Sequence, residues 1–436
     1  MKIAAAVVLL VVLAVGALAL LSVHTGLAFS PAVTVVGVST PVTVRVTNPH
    51  GVRSLAAYLE QDGARTEVYS ESAPPAHLIW QWHVAERTVT FETGQSKVPQ
   101  LKEGKARVVV EAVSNDFSGR ADSVGCDVTV VLAPPHVTAD GHQHYINQGG
   151  MELVTLTTQG SVAASGVSVG PYTFRSFPLP GGAPGQRFAM FAYPWDLGPR
   201  VVPVVFARNL AGAEATAKFW FRVKPKRFRA REYPLTDGSM AALVNSVDPT
   251  GKLAPGPDML TRFLKINGEL RHENNQQLAD LRFQTEEKIL WNGPFLHYGK
   301  EEANFADVRD YMYRGKRVDR QVHLGFDLSD VKDAPVNAAN DGRVVWASNL
   351  GIYGNCIVLD HGYSLQSIYG HLKSIGVKVG DRVKKGQQMG VEGSTGLAGG
   401  VHLHFSMQID GVQTNPREWW DEHWIQDRVL SKLHRE

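Results

Sequence analysis

Cysteine is all but missing from this chain. Its 436 residues include only Cys126 and Cys356, too few for a disulfide framework or a cysteine zinc cluster. They stand so far apart that both are expected as buried thiols in different domains. An excess of either charge is lacking too. Lys and Arg number 44 against 42 Asp and Glu, which leaves no global attraction to nucleic acid, and none is expected as a partner. Charged residues make up 20% and hydrophobic ones 44%, the balance of a globular chain and not of a disordered or fibrous one. Amphipathic helical periodicity is scarce, confined to the stretch from Asp258 to Arg282.

Long apolar runs are also rare, with one exception. Ile3 to Leu21 is uninterrupted, and at 1.5 Å per residue it is about as long as a bilayer's hydrocarbon core is thick. Lys2 and the amino-terminal charge on its short side predict a cytoplasmic amino terminus and an exported body beyond residue 30. Ala17-Leu18-Ala19 has the small-x-small form of a signal-peptide cleavage site. It lies inside the run, with Leu20 and Leu21 still to come, so an uncleaved transmembrane anchor is the expectation. Either reading puts the body in the periplasm or extracytoplasmic space.

What is abundant is the strand pattern. Segments such as Pro41-Val-Thr-Val-Arg-Val46, Ala106-Arg-Val-Val-Val-Glu-Ala112 and Cys126-Asp-Val-Thr-Val-Val131 alternate apolar and polar residues between turn clusters. Strands at this spacing predict an immunoglobulin-like sandwich over 30–133, after an anchor at 1–29. A second set, including Leu153-Val-Thr-Leu-Thr157 and Val201-Val-Pro-Val-Val-Phe206, predicts another over 134–223. Then come a basic linker and helical connector at 224–290, a strand-and-turn domain at 291–420 and a tail at 421–436. The fold class is therefore mainly β. Within the connector, Asp258 caps a helix with Met259, Leu260, Phe263 and Leu264, and a second helix runs over about 269–282. The linker's Lys224-Pro-Lys-Arg-Phe-Arg-Ala-Arg231 reads as a solvated spacer. Gly166-Val-Ser-Val-Gly170 fits a nucleophile elbow, but Pro171 and a strand-like segment follow, so it reads as a chance match. Trp80 and Trp82 suit sugar stacking, though a place in the sandwich core is the commoner fate of such residues.

The residues with chemistry lie in the last third. In Val322-His323-Leu324-Gly325-Phe326-Asp327-Leu328-Ser329, the apolar residues take the even positions. A strand would bury those and put His323 and Asp327 together on the other face. Val401-His402-Leu403-His404-Phe405-Ser406-Met407 repeats the pattern, with Val401, Leu403, Phe405 and Met407 inward and His402 beside His404. In Ser367-Ile-Tyr-Gly-His-Leu372, Tyr369 and His371 share a face. Packing alone does not call for imidazoles on the solvent side of strands. Imidazole nitrogens with one carboxylate suit Zn²⁺, whose catalytic sites take three protein ligands and leave a position for water. Five candidates exceed three, so two are left for the reaction.

These segments, with Asp341-Gly-Arg-Val344, Gly354-Asn-Cys-Ile-Val-Leu-Asp-His-Gly362, Tyr369-Gly-His-Leu372, Gly393-Ser-Thr-Gly396 and His402-Leu-His-Phe405, resemble the lysostaphin-type (LytM, M23) zinc metallopeptidase domain over about residues 320–416. The resemblance implies a mostly antiparallel β metallopeptidase fold and one zinc ion held by His323, Asp327 and His404, with His371 and His402 as non-ligand catalytic histidines. Tyr369 and Asn355 would line a substrate groove, and His361 would order a loop. Two departures stand beside the groove: Gly396-Leu-Ala-Gly-Gly-Val401 precedes His402, and Ser406-Met407 follows Phe405 where the family commonly has an acidic residue. The implied activity is endopeptidase hydrolysis of peptidoglycan cross-links, by an enzyme anchored in a bacterial inner membrane, with peptide stems as substrate and envelope proteins as possible partners of the sandwiches. The alternatives are a catalytically silent activator of cell-wall amidases and a zinc protease of envelope proteins. Retention of all five positions favours the enzyme.

Overall fold

Alternating valines and alanines organise the first of two compact units, which holds the chain through His136 together with Gln159–Ala163 and Ala207–Ala215. The computed structural model describes residues 2–76, 82–331 and 333–433. In the strand Gly104–Ser114, Ala106, Val108, Val110 and Ala112 are buried on one side at period two. This strand is the centre of a five-stranded sheet ordered Val35–Val36, Ala121–Val130, Gly104–Ser114, Val52–Gln61, Ala64–Ser72. A three-stranded sheet of Gly26–Phe29, Thr40–Thr47 and Arg87–Thr93 supplies Val42, Val44, Val89 and Phe91 to the same core.

Two expectations for this unit change. Cys126 is half-buried instead of buried, because its strand is covered by Val35–Val36 only near its end, at Thr129 and Val130. Trp82 is 51% exposed and meets His50 edge-on instead of entering the core; Trp80 lies outside the described residues. The apolar run forms a helix, Lys2–Leu21, with Val7 to Leu13 strongly exposed. Among the described residues no helix is long and apolar enough to cross a membrane.

The second unit comprises Val137–Thr158, Ala164–Phe206 and the chain from Thr216 onward. The second strand set and the C-terminal β region therefore share one body. Ala164–Val169 pairs antiparallel with Tyr172–Arg175 across a turn at Gly170, so the Gly-x-Ser-x-Gly segment is half of a hairpin and no nucleophile elbow exists there. Arg175 crosses from this set to the C-terminal region. Its Nε and Nη2 donate to Asp410 Oδ1 at 2.9 and 2.6 Å, and Nη2 also reaches Ser364 Oγ and the carbonyl of Arg282.

The helical connector is larger than the sequence suggested. Besides Met259–Lys265 and Arg271–Asp280, it includes Asp237–Val247, whose first turn is closed by a capping box between Thr236 and Ser239. Gly238 and the two serines in this segment hid its periodicity. These helices do not stand apart as a spacer: Met240, Val244, Phe263, Ile266, Leu278 and Leu281 enter one core with Tyr311, Ile352, Val358 and Ile368 of the C-terminal β region.

That region is built on an eight-stranded sheet. Its order is Lys300–Ala303, Phe326–Ser329, Leu403–Ile409, Leu365–Leu372, Asn355–Asp360, Gly342–Asn349 and Arg382–Val383, with Val412–Thr414 also paired to Leu403–Ile409. The central strands Leu365–Leu372 and Leu403–Ile409 are buried along their whole length, as strands covered on both faces are. The C-terminal segment, expected as a polar tail, also packs inward. Lys432 donates to Glu152 Oε1 and to the carbonyl of Leu153, each at 2.7 Å, and its Nζ lies 3.3 Å from His144 Nδ1. Lys432, Glu152 and His144 are all buried. Replacing Lys432 with Met leaves the buried Glu152 carboxylate without its hydrogen-bonded ammonium, with Arg428 Nη1 at 3.7 Å still paired to it. The expected loss is about 3–5 kcal/mol of stability, measured as a lowered denaturant midpoint against wild type.

Candidate metal centre

Sheet register assembles the centre. Asp327 and His404 are directly paired on neighbouring strands, and Gly370 pairs with His404 from the other side. Residues directly opposite share a face, so the carboxylate and the imidazole emerge together. His402 stands two residues before His404 on the same side, at an isolated bridge to Gly393. Leu403, Phe405 and Met407 are buried on the other face, but Val401 is 50% exposed because the strand begins only at Leu403.

His323 does not lie on one continuous strand with Asp327. The strand Lys316–Val322 ends before it and Phe326–Ser329 begins after it, so the chain breaks at 323–325 and swings the imidazole over the sheet. Gly325 permits this closeness: a Cβ there would stand 2.6 Å from His404 Cε1 and 2.7 Å from Nε2. His323, Asp327 and His404 thereby bring one ligand atom each within 4.8 Å of one another. His323 Nε2 is 2.9 Å from Asp327 Oδ1 and 3.0 Å from His404 Nδ1, which is itself 3.3 Å from Asp327 Oδ1.

The outer hydrogen bonds set the protons. His323 Nδ1 donates to the carbonyl of Asn304 at 3.1 Å, leaving the Nε2 lone pair turned inward. His371 Nδ1 donates to the carbonyl of Thr395 at 2.8 Å and His402 Nδ1 to that of Gly400 at 2.9 Å. The inner nitrogens of both are thus free of backbone partners. The His371 and His402 rings lie 4.9 Å apart, and His371 is 5.8 Å from His404. His402 Nε2 is 3.4 Å from Asp327 Oδ1.

Burial dominates the electrostatics. It pushes His323 down, His404 down to about 4, and His371 well below the usual imidazole range with help from the neighbouring His402 and His404. Burial works against a charge on His402 as well, but the Asp327 carboxylate outweighs it and the net direction is upward. Asp327 would be raised by its own burial, yet His323 and the other imidazoles hold it well below the carboxylate range. Two neutral imidazoles and a carboxylate converging on one point are the donor set that a divalent ion such as zinc takes. With the His323 proton held outward by Asn304, its Nε2 and Asp327 Oδ1 face each other as acceptors 2.9 Å apart, so the residues present fit a metal.

Tyr369, Asn355 and His361 fall elsewhere. His371 has a left-handed backbone, φ +64°, where the register slips opposite Asn355–Ile357. This irregularity breaks the period of two. Tyr369, expected on the face of His371, instead pairs with Phe405 on the opposite face and accepts from the amide of Ala339. Asn355 does not line the groove either; its amide donates to Thr395 Oγ1 at 2.9 Å, supporting the carbonyl that holds His371. His361, fixed between the carbonyl of Asp341 and Ser367 Oγ at 2.7 Å each, orders the loop.

The histidine face is not open to solvent as the alternation suggested. The connector helices and the hairpin of Val308–Tyr313 and Lys316–Val322 cover it, leaving a cavity of about 480 Å³ walled by residues including Tyr233, Leu243 and Phe263. Sequence reasoning missed Arg309, whose Nη2 donates to Asp327 Oδ2 at 2.7 Å. Arg309 thus occupies one carboxylate oxygen and leaves Oδ1 toward the histidines. No motif marked it, because it sits on a separate hairpin.

Known proteins share this part of the chain. The peptidoglycan DD-endopeptidase ShyA of Vibrio cholerae is 38% identical over 158 residues, covering 36% of this chain and 34% of its own. The murein hydrolase activator EnvC of Escherichia coli is 39% identical over 95 residues, 22% of this chain and 23% of its own. The chain spans 20 to 34% of the length of such curated relatives. A crystal structure of a zinc-containing peptidase from Vibrio cholerae aligns with 72% of this chain and 80% of its own, at 14% identity and a TM-score of 0.27. The family model that matches is Peptidase family M23, over residues 321–416, and the C-terminal domain of this chain is an M23 (LytM, lysostaphin-type) peptidase domain.

Proposed function

We propose that this protein is a zinc-dependent endopeptidase that hydrolyses peptide cross-links of bacterial peptidoglycan from a membrane-anchored, exported position. The observation that carries the reading is the convergence of His323, Asp327 and His404 within 4.8 Å, with His371 and His402 beside them in one cavity. The peptidoglycan endopeptidase among the relatives supports the substrate class. The helix Lys2–Leu21, with its apolar residues Val7 to Leu13 exposed, supports the anchor. The strand sets, read as immunoglobulin-like, set the reach from membrane to wall. The activator among the relatives keeps a silent regulatory module as the second reading; five retained positions weigh against it.

In this reading, His323 Nε2, Asp327 Oδ1 and His404 Nδ1 hold the zinc ion. When bound, zinc supplies a Lewis acid and a water acidic enough to ionise near neutral pH. The chain's own groups do the remaining work. Asn304 keeps the His323 lone pair inward, and Arg309 keeps Asp327 Oδ2 occupied. His402 lies 3.4 Å from Asp327 and is the imidazole most inclined to hold a proton; it takes the proton of the attacking water and passes it to the leaving amine. His371, held neutral by burial and by the neighbouring His402 and His404, with its Nδ1–H fixed on the carbonyl of Thr395, orients the scissile peptide.

Two outcomes separate these roles. His404→Ala loses bound metal, whereas His402→Ala keeps one zinc per chain and loses about 10²–10⁴-fold in turnover, read by metal analysis beside peptide cleavage. Equal metal content and equal activity in the two variants would refute the assignment. Purified full-length protein with zinc should release new amino groups from peptidoglycan sacculi, and chelation should stop the release. An unchanged amino-group count with the metal-loaded protein would exclude the endopeptidase.

A further inference from the structure

The helix Arg271–Asp280 comes from the connector, outside the family match at 321–416, yet Arg271 and Asn275 line the same cavity as the histidines. Four residues apart, they lie one turn above each other on a single helix face. Arg271 is held rigidly: Nε donates to the carbonyl of Asn267 at 3.1 Å and Nη2 to Asn267 Oδ1 at 2.7 Å. Asn267 is itself anchored to Asp319 at 2.6 Å. Both Arg271 bonds go to a neutral residue, so its charge has no carboxylate partner among the described residues. Asn275 Oδ1 accepts from the Tyr353 hydroxyl at 2.8 Å, which leaves its amide N–H groups as donors.

The other charges on the cavity wall are committed. Arg309 is paired to Asp327, and Glu302 is bound by Lys300 and Ser329. Arg271 is therefore the wall's free guanidinium, pre-oriented and with its second terminal nitrogen uncommitted. Tyr353 connects this face to the metal ligands, its ring centroid 5.4 Å from that of His404. The arginine and amide donors thus stand one aromatic side chain away from the metal centre. An extended peptide advances about 3.3 Å per residue, which puts their partner within about two or three residues of the scissile bond.

Resting on the peptidase reading above, we infer that Arg271 and Asn275 form a carboxylate subsite, so that the preferred substrate is a peptide bearing a free carboxylate close to the bond that is cut. A planar guanidinium held by neutral neighbours matches a carboxylate in bidentate fashion. The inference assigns specificity to the connector helix, while the chemistry stays with the sheet.

The test uses full-length, zinc-loaded protein and two synthetic cross-linked stem peptides that differ only in one free carboxylate versus its carboxamide near the scissile bond. Binding is measured by calorimetry and cleavage by amine release. Wild type should bind the carboxylate peptide about tenfold more tightly than the amide, with the difference appearing in KM. Arg271→Gln should erase that preference by losing more on the carboxylate peptide than on the amide peptide, and Arg271→Lys should retain part of it. Equal affinity of wild type for the two peptides, or an equal loss on both in Arg271→Gln, overturns the subsite. If neither peptide is cut but an Arg271-dependent preference persists in binding, the subsite stands and the peptidase reading fails.

Discussion

Lone pairs directed at one point repel unless a cation stands between them, and the register of the sheet forces that approach on His323, Asp327 and His404. Asp327 and His404 are cross-strand partners, so both side chains leave the sheet on the same face, next to each other. His323 is brought over them by a break in the chain that only Gly325 has room for. The Asn304 carbonyl then removes the remaining freedom by holding the proton of His323 on its outer nitrogen. The cost of converging acceptors is thus built into the backbone, and binding a divalent ion relieves it. Arg309 lowers the local negative charge from the far side of Asp327 without entering the triangle.

The surroundings matter as much as the donors. A β sheet with one polar face open would leave these imidazoles wet and close to their ordinary titration range. Here the connector shares its core with the sheet, and the hairpin carrying Arg309 and Tyr311 closes another wall. Burial accordingly leads the causes acting on each histidine of the centre. One body thus carries the metal ligands on strands and the cavity walls on helices, and the second strand set is bound to it through Arg175 and Asp410.

Much of the centre was legible in the residues. The alternation around His404 placed Leu403, Phe405 and Met407 in the core, and the short spacing brought His402 alongside, because period-two geometry holds within an unbroken strand. Legibility failed where strands break. His323 lies in a gap, Val401 precedes its strand, and an irregularity at His371 sends Tyr369 to the opposite face; none of these carries a compositional mark. Arg309 and Arg271 were hidden for another reason. Each reaches the site through tertiary packing of a separate element, and nothing in the spacing of one chain segment reports that. The helix Asp237–Val247 was obscured by Gly238 and by serines, although Thr236 and Ser239 form its cap.

The left-handed turn at His371 has a further consequence for anyone dissecting this centre. A side chain there is aimed by a main-chain geometry that most amino acids resist. Deleting the ring with alanine therefore also frees the peptide to relax, conflating two losses. Asparagine tolerates the same region of dihedral space, making it the cleaner probe of what the imidazole itself contributes.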